Sequence, residues 1–220
     1  MINFNDDDKR VYLLKTLSLY KEKILDGLFN DSLFMHEQQL STYYEMTSFI
    51  QENSNCFFRE CVPGHITGSA YIINASFTKM LFTYHAKLKK WLQLGGHCDG
   101  EYLVHNTALR EAHEESGLKQ LNLINILNFP EIYHVNELTE NKLSALPIDI
   151  DIHIIPERKN DPKHKHYDVS YLILANESEN IIISEESLDL KWIDFKDIKL
   201  YTNETKTLRQ INKIQALIQK

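Results

Sequence analysis

The segment "GGHCDGEYLVHNTALREAHEESGL", residues 95–118, crowds acidic side chains into one short predicted helix. Helical geometry places Glu111, Glu114 and Glu115 on an arc of about 100°, because successive residues turn by about 100° around the helix axis. Small and apolar residues fall on the neighbouring side, where they suit packing against a sheet. The segment therefore predicts a helix that buries one face and presents three carboxylates on another.

The carboxylate face has two interpretations. Most glutamate-rich helix faces are simply solvated. However, like charges four residues apart, as at Glu111 and Glu115, destabilise a helix by a few tenths of a kcal/mol. A hard divalent cation such as Mg²⁺ accepts carboxylate oxygens and keeps water and phosphate oxygens as its other ligands. Considered without its neighbours, the helix leaves both interpretations open.

The sequence around the helix resembles the Nudix box: Gly, five residues, Glu, seven residues, then Arg-Glu-aliphatic-any-Glu-Glu-any-Gly-aliphatic. Gly96 lies fourteen residues before Arg110, as the pattern requires, and residues 111–118 follow in order. Tyr102 stands where the pattern has its first glutamate. In the family that glutamate mainly supports the loop and the arginine, so the departure concerns loop geometry more than metal binding. The wider resemblance to Nudix proteins covers roughly residues 60–200.

This resemblance implies metal-assisted attack of water on a phosphorus atom. The implied reaction splits the pyrophosphate bond of a nucleoside diphosphate linked to another group, with Mg²⁺ as cofactor and Mn²⁺ as an alternative. Arg110 is expected to hold a glutamate and the loop in position, and one glutamate is an alternative base for the water. The implied metal ligands are Glu111, Glu114, Glu115 and a carbonyl oxygen of Gly95 or Gly96.

Two other functions share this fold. An isopentenyl-diphosphate isomerase needs a cysteine and a glutamate placed for proton transfer on carbon, and no matching cysteine context is found. A non-catalytic nucleotide-binding module is the second alternative. Degenerate Nudix domains usually lose their glutamates, whereas this chain keeps all three. Magnesium-dependent phosphate release would separate the hydrolase from both alternatives.

Further ionisable residues alternate along two predicted strands. In residues 148–155, Asp149, Asp151 and His153 share one strand face, and residues 164–168 present a similar polar face if they are extended. These groups could face a cleft and bind substrate phosphate or another metal, or they could form a solvated sheet face or loop. The predicted substrate-binding residues are His97, His153, His166 and Asp168.

The remaining pattern predicts an α/β protein: a Nudix-like α/β/α sandwich with a mixed β-sheet, plus an N-terminal helical extension. We place the extension at residues 1–60 and the Nudix domain at 61–220. Asn106 is the predicted N-cap of the acidic helix, and Gly117 its predicted stop. Helices are expected within residues 9–51 and 205–220, and strands at residues 65–73, 77–85, 148–155, 166–175, 180–184 and 190–195.

Composition limits the partners. The chain has 220 residues, 43% of them hydrophobic, and a net charge of −7. An acidic chain is a poor match for a nucleic-acid polymer, and the apolar runs are too short for a membrane span. The three cysteines form an odd set without metal-type spacing, which favours a reducing cytoplasm. No secretory signal is expected, and a homodimer is a further expectation.

Overall fold

The structure, a computed structural model, describes residues 8–29, 33–133, 145–157 and 162–220. Four α-helices and eight strands lie within these ranges. Their bounds are α1 Arg10–Leu25, α2 Leu33–Glu52, β1 Gly64–Asn74, β2 Lys79–His85, β3 Trp91–Leu92, β4 Leu94–His97, α3 Val104–Ser116, β5 Leu121–Leu123, β6 Asp149–Ile155, β7 His164–Ala175, β8 Ser187–Asp194 and α4 Thr205–Ile218. Short 3₁₀ helices lie at Ile126–Asn128 and Phe195–Leu200.

The strands form one mixed sheet. Its main path runs β3-β2-β1-β7-β5, while β4 pairs with β1, β6 with β7, and β8 with β2. The β1–β7 pair is parallel over eleven residue pairs, and the other pairings are antiparallel. Every residue of β1 is buried. Because helices flank this sheet, the predicted α/β class with a mixed sheet and N-terminal helices is confirmed.

The acidic helix α3 starts earlier than predicted. It begins at Val104, and Asn106 lies in its first turn, so the predicted N-cap is wrong. The preceding loop supplies the missing acceptor, since the Glu101 carboxylate accepts from the Leu103 N–H at 2.8 Å. The predicted stop is confirmed, because Gly117 adopts a left-handed conformation with φ of 71°.

Residues 180–184 do not form the predicted strand. The N–H of Ile182 donates to the carbonyl of Ser116 at the end of α3, at 2.7 Å. The Ile182 side chain lies against Gly117, where a Cβ atom would clash with it. This apolar run therefore covers a helix end and does not add a strand to the sheet.

The two faces of β1 have different chemistry. Gly68 lies against α3, because a Cβ atom there would lie 2.9 Å from the Val104 carbonyl oxygen and 3.0 Å from Thr107. Gly68 pairs with Gly96 across β1 and β4, so both glycines face α3. The alternate positions, among them His65, Thr67 and Ser69, face the other way, toward α4. The sheet thus separates an α3 face from a polar α4 face.

The N-terminal helices also reach the polar face. Lys213 of α4 is 1% exposed and donates to the Tyr20 hydroxyl of α1 and to the Gln39 side chain of α2, each at 2.9 Å. The boundary at residue 60 remains a prediction. Within the described residues, no helix is both long and apolar enough to cross a membrane.

Candidate active site

Two glycines of β4 allow the glutamates of α3 to approach the backbone. A Cβ atom at Gly96 would overlap the carboxylate of Glu111. The N–H of Gly95 donates to Oε1 of Glu115 at 2.9 Å. Gly95 has φ of 150°, and a Cβ atom there would lie 2.7 Å from the carbonyl oxygen of Gly68. A larger residue at either position would therefore push β4 away from the two carboxylates.

Arg110 joins the helix to the loop that follows β4. Its Nη2 donates to the carbonyl oxygen of His97 at 2.7 Å. Its Nη1 lies 2.8 Å from Glu111 Oε1 and 3.0 Å from Glu114 Oε2. One guanidinium thus orients two of the three glutamates and the loop, without a glutamate at position 102.

The glutamates are desolvated to different degrees. The Glu114 side chain is 55% exposed, whereas Glu111 is half-buried and Glu115 is buried. Burial, together with the charges of Glu111, Glu186 and Glu114, raises the pKa of Glu115 to about 7, although the hydrogen bond from the Gly95 N–H opposes this shift. Burial also raises the pKa of Glu111, although Arg110 opposes that shift. Glu111 and Glu115 together therefore carry more negative charge than the neighbouring positive groups balance. A divalent cation bound between them would supply the missing positive charge.

The polar α4 face holds a second group of carboxylates in ion pairs. Asp149, which is 0% exposed, lies 2.7 Å from Arg209 and 2.6 Å from Lys213. Asp151 lies 2.8 Å from Arg209. For Asp149 and Asp151, both the open cleft and the solvated face are therefore wrong, because α4 covers these strand positions and supplies the cations.

Asp168 lies in the same covered region. It is 2% exposed and lies 2.9 Å from Lys206, and it accepts from Thr67, Ser69 and Ser170. Burial alone would raise the pKa of Asp168, but the charges of Lys206 and His153 and the hydrogen bonds from Lys206 and Ser69 together lower it. Its carboxylate is therefore already committed to the protein, which does not favour the predicted direct contact with substrate.

The predicted histidines form a cluster on the α4 face. His166 pairs with His65 on β1 and with His153 on β6. The rings of His65 and His97 lie 4.8 and 5.1 Å from that of His166, measured between centroids. Burial, together with the neighbouring histidines, lowers the pKa of His166 to about 2. The ring of His166 is therefore neutral at ordinary pH.

The structure thus divides the predicted site residues into two sets. Gly95, Gly96, Arg110 and the three glutamates lie together on the α3 face. His97, His153 and His166 lie together on the α4 face, and Asp168 lies beneath α4. The separation follows from alternation, because Gly96 faces α3 and the side chain of the next residue, His97, points to the opposite face.

Sequence reasoning gave too little weight to two residues. His65 was not singled out, although the polar alternation of His65, Thr67 and Ser69 along β1 was a signal for it. Glu186, directly before β8, also belongs to this site, because its charge raises the pKa of both Glu111 and Glu115. Tyr102 fills the first glutamate position by packing on Tyr12 of α1, with 5.2 Å between ring centroids.

Comparison with known proteins identifies the family. A sequence model of the NUDIX domain matches residues 65–213. A crystal structure of a NUDIX-family hydrolase from Clostridium perfringens is 30% identical, with a TM-score of 0.52, and the match covers 70% of this chain and 97% of that one. The structure of the E. coli dihydroneopterin triphosphate pyrophosphohydrolase matches at 14% identity and a TM-score of 0.48, over 70% of this chain and 96% of that one.

A curated relative from Lactococcus lactis subsp. cremoris, a probable DHNTP pyrophosphohydrolase, is 28% identical over 130 residues. That match spans 58% of this chain and 66% of the relative's length. Nudix enzymes generally use a divalent metal ion. The match to the family model covers more than half of the chain, and the Clostridium perfringens hydrolase is matched over nearly its whole length. The chain therefore belongs to the Nudix hydrolase family.

Proposed function

We propose that this protein is a Mg²⁺-dependent pyrophosphohydrolase, with Mn²⁺ as an alternative cofactor. Its substrate is a small nucleoside diphosphate linked to another group. The observation that carries the proposal is the pair of desolvated carboxylates, Glu111 and Glu115, held against the backbone of Gly95 and Gly96. A buried carboxylate without full charge compensation is costly unless a cation binds it.

The residues present fit a divalent cation with oxygen ligands. Glu111 and Glu115 would hold it, with Glu114 as a further ligand, direct or through water, and a carbonyl oxygen of Gly95 or Gly96 beside them. When bound, the ion supplies positive charge that stabilises the developing charge on the reacting oxygens.

The chain's own residues orient the reaction. Arg110 fixes the loop through the His97 carbonyl and orients Glu111 so that its carboxylate can bind the cation. The attacking water forms a bond to phosphorus, the bridging P–O bond breaks, and the proton from the water passes to one of the glutamates. A bound cation would lower the pKa of a glutamate that coordinates it, so the glutamate that accepts the proton would be one that is not itself a direct ligand.

A substrate screen tests the proposal. The purified protein is incubated with dinucleoside polyphosphates, nucleotide sugars, NADH, nucleoside triphosphates and dihydroneopterin triphosphate, each with Mg²⁺, Mn²⁺ or excess chelator. The last substrate is included because of the probable DHNTP pyrophosphohydrolase among the relatives. Reaction in ¹⁸O-labelled water identifies the phosphorus that water attacks. We expect metal-dependent cleavage with one labelled phosphate product.

The outcome also separates the alternatives. A protein that binds these nucleotides tightly but releases no phosphate with any metal would be a binding module, and the hydrolase proposal would fail. The isomerase alternative is disfavoured by the cysteines. Cys56, Cys61 and Cys98 are all buried, and burial raises the pKa of Cys98 to about 12, so that thiol is not poised for proton transfer.

Of the predicted substrate-binding residues on the α4 face, we keep one histidine as a substrate contact. His153, whose side chain is 38% exposed and which accompanies Asp151 at 3.2 Å, remains the predicted substrate contact on the α4 face. We assign Asp168 a positioning role through Lys206 instead of a substrate contact. The cytoplasmic location and the homodimer remain predictions.

A further inference from the structure

Histidines from three different strands converge at one point on the α4 face. They are His65 of β1, His97 of β4 and His166 of β7, and each offers a ring nitrogen that lies within 4.8 Å of the other two. The sheet register causes this convergence, because His65 pairs with His166 and Thr67, two residues along β1, pairs with His97. Three imidazoles on one face of adjacent strands therefore meet without any loop to position them.

The spacing is close to that of a metal site. For any three atoms no more than 4.8 Å apart, some point lies within about 2.8 Å of all three. Zinc–nitrogen bonds are 2.0–2.1 Å long. Each ring nitrogen would thus need to move by less than about 1 Å, which small rotations of the side chains can provide.

A fourth imidazole, that of His164, lies beside the group of three, with its ring centroid 4.9 Å from that of His65 and 5.1 Å from that of His166. Nδ1 of His164 lies 2.8 Å from the carbonyl oxygen of Pro162, to which it donates as Nδ1–H, and this leaves the lone pair on Nε2. That Nε2 accepts a hydrogen bond from Nε2 of His166 at 3.2 Å, a contact that a bound ion would replace. Two nitrogens on one tetrahedral zinc ion are separated by about 3.3 Å. Metal-bound histidines commonly donate their other ring N–H to a carbonyl in this way.

We propose that His65, His97 and His166, with His164 in the fourth position, bind a transition-metal ion of the Zn²⁺ type. Nitrogen ligands in tetrahedral arrangement favour such an ion, whereas Mg²⁺ prefers oxygen ligands in octahedral arrangement. This site is separate from the glutamate site, since the two lie on opposite faces of β4. The proposal does not rest on the proposed hydrolase function.

The ion would link three strands and the Nudix loop. His97 contributes its side chain to the cluster, while its carbonyl oxygen accepts from Arg110 at 2.7 Å. A metal bound on the α4 face would therefore immobilise the same residue that anchors the arginine of the α3 face. The expected role is structural, because it stabilises the loop between the two sites.

Metal binding by the full chain tests the proposal directly. The protein is stripped with chelator, and Zn²⁺ is titrated against a chromophoric competitor in the presence of excess Mg²⁺. We expect one tightly bound Zn²⁺ per chain and an upward shift of several degrees in the melting temperature. With Co²⁺ as the probe, we expect the intense visible absorption of a tetrahedral site.

Variants locate the ion. His97→Gln and His166→Gln should each weaken Zn²⁺ binding by more than the roughly 10- to 100-fold typical of losing an outer-shell partner. Because His65 is 4% exposed, His65→Gln is used only if its melt shows that it is folded. His36→Gln, at a histidine on α2 outside the cluster, is the matched control and should bind Zn²⁺ as the wild type does.

Three results would overturn the proposal. The first is unchanged Zn²⁺ affinity in both His97→Gln and His166→Gln. The second is the weak absorption of octahedral Co²⁺ in the wild type. The third is loss of tight Zn²⁺ binding in the Glu111→Gln, Glu115→Gln double variant, which would place the ion in the glutamate site. Loss of phosphate release in that double variant, with Zn²⁺ binding retained, is the expected pattern.

Discussion

The two faces of the sheet treat buried carboxylates in opposite ways. On the α4 face, Asp149, Asp151 and Asp168 meet three cations of α4 within ion-pair distance, Lys206, Arg209 and Lys213. On the α3 face, the guanidinium of Arg110, whose side chain is 40% exposed, pairs with Glu111 and Glu114, whereas Glu115 accepts the N–H of Gly95. Accordingly the pKa of Asp168 is lowered, whereas that of Glu115 is raised to about 7.

This comparison separates carboxylates that stabilise the fold from carboxylates that are available to a ligand. A carboxylate that the fold already neutralises holds the protein together and has little capacity for a ligand. A desolvated carboxylate short of counter-charge destabilises the free protein and gains most when a cation arrives. Removing a charge should therefore be damaging on the α4 face and tolerated by the fold on the α3 face.

The largest expected effect is on stability at Asp149. Asp149→Ala leaves Arg209 and Lys213 buried without their shared carboxylate, and breaking a buried ion pair typically costs about 3–5 kcal/mol. We expect that loss in the free energy of unfolding measured with urea. Asp189→Ala is the control, because Asp189 pairs with Lys191 at an exposed position and its loss should cost less than about 1 kcal/mol. If the two substitutions lowered the free energy of unfolding equally, then the buried ion pairs under α4 would not have the structural role that we assign to them.

The next effect is on catalysis at the glutamates. Glu115→Gln and Glu111→Gln should each slow hydrolysis by at least about 10²-fold, since metal charge stabilisation is usually worth several kcal/mol. Neither should unfold the chain, and either could stabilise the metal-free protein by relieving like-charge repulsion. Turnover on the best screened substrate is measured beside thermal melts with and without Mg²⁺, with Glu37→Gln at an exposed position of α2 as the matched control. Near wild-type turnover together with an unchanged Mg²⁺ shift would mean that the glutamate face is merely solvated.

A smaller effect concerns pH. The pKa of Glu115 is about 7 in the folded protein and has an ordinary value of 4.5, so the folded state binds more protons between these two values. Stability of the metal-free protein should therefore fall as pH rises through this window. Between pH 6 and pH 8 we expect a loss of about 1 kcal/mol from this group.

Urea unfolding of the chelated protein at several pH values measures this loss, and Glu115→Gln should flatten it. Bound Mg²⁺ requires the deprotonated carboxylate, so its stabilising effect should be larger at pH 8 than at pH 6. If the stability of the wild type and of Glu115→Gln changed with pH in the same way, then Glu115 would not be the cause of the loss.

The smallest effect is expected at Tyr102. Tyr102→Glu restores the usual residue of the motif, but Arg110 is already held by the His97 carbonyl and two glutamates. We expect turnover to change by less than about threefold, or under about 1 kcal/mol, while the lost packing on Tyr12 lowers the melting temperature slightly. If the wild type is inactive on every substrate and Tyr102→Glu is active, then Tyr102 marks a degenerate site.

Local pattern was sufficient for most elements of the fold. The period of two in residues 148–155 identified β6, and the 3.6-residue period of residues 205–220 identified α4. It failed at residues 180–184, where an apolar run covers the end of α3. A short apolar run predicts that the segment is buried, but it does not predict which part of the protein the segment packs against.

The sequence by itself determined the family, the acidic helix and the position of the three glutamates on one face of that helix. It could do so because the spacing of the Nudix box is local and its residues lie on consecutive turns. Only the tertiary structure decided which carboxylates are neutralised. The apolar stripe of α4 is visible in its sequence, but the neighbouring stripe of Lys206, Arg209 and Lys213 looks solvated until the helix lies on Asp149 and Asp168. The meeting of His65, His97 and His166 likewise depends on the register of three strands distant in sequence, since charge compensation and metal coordination depend on distances in space that chain spacing does not encode.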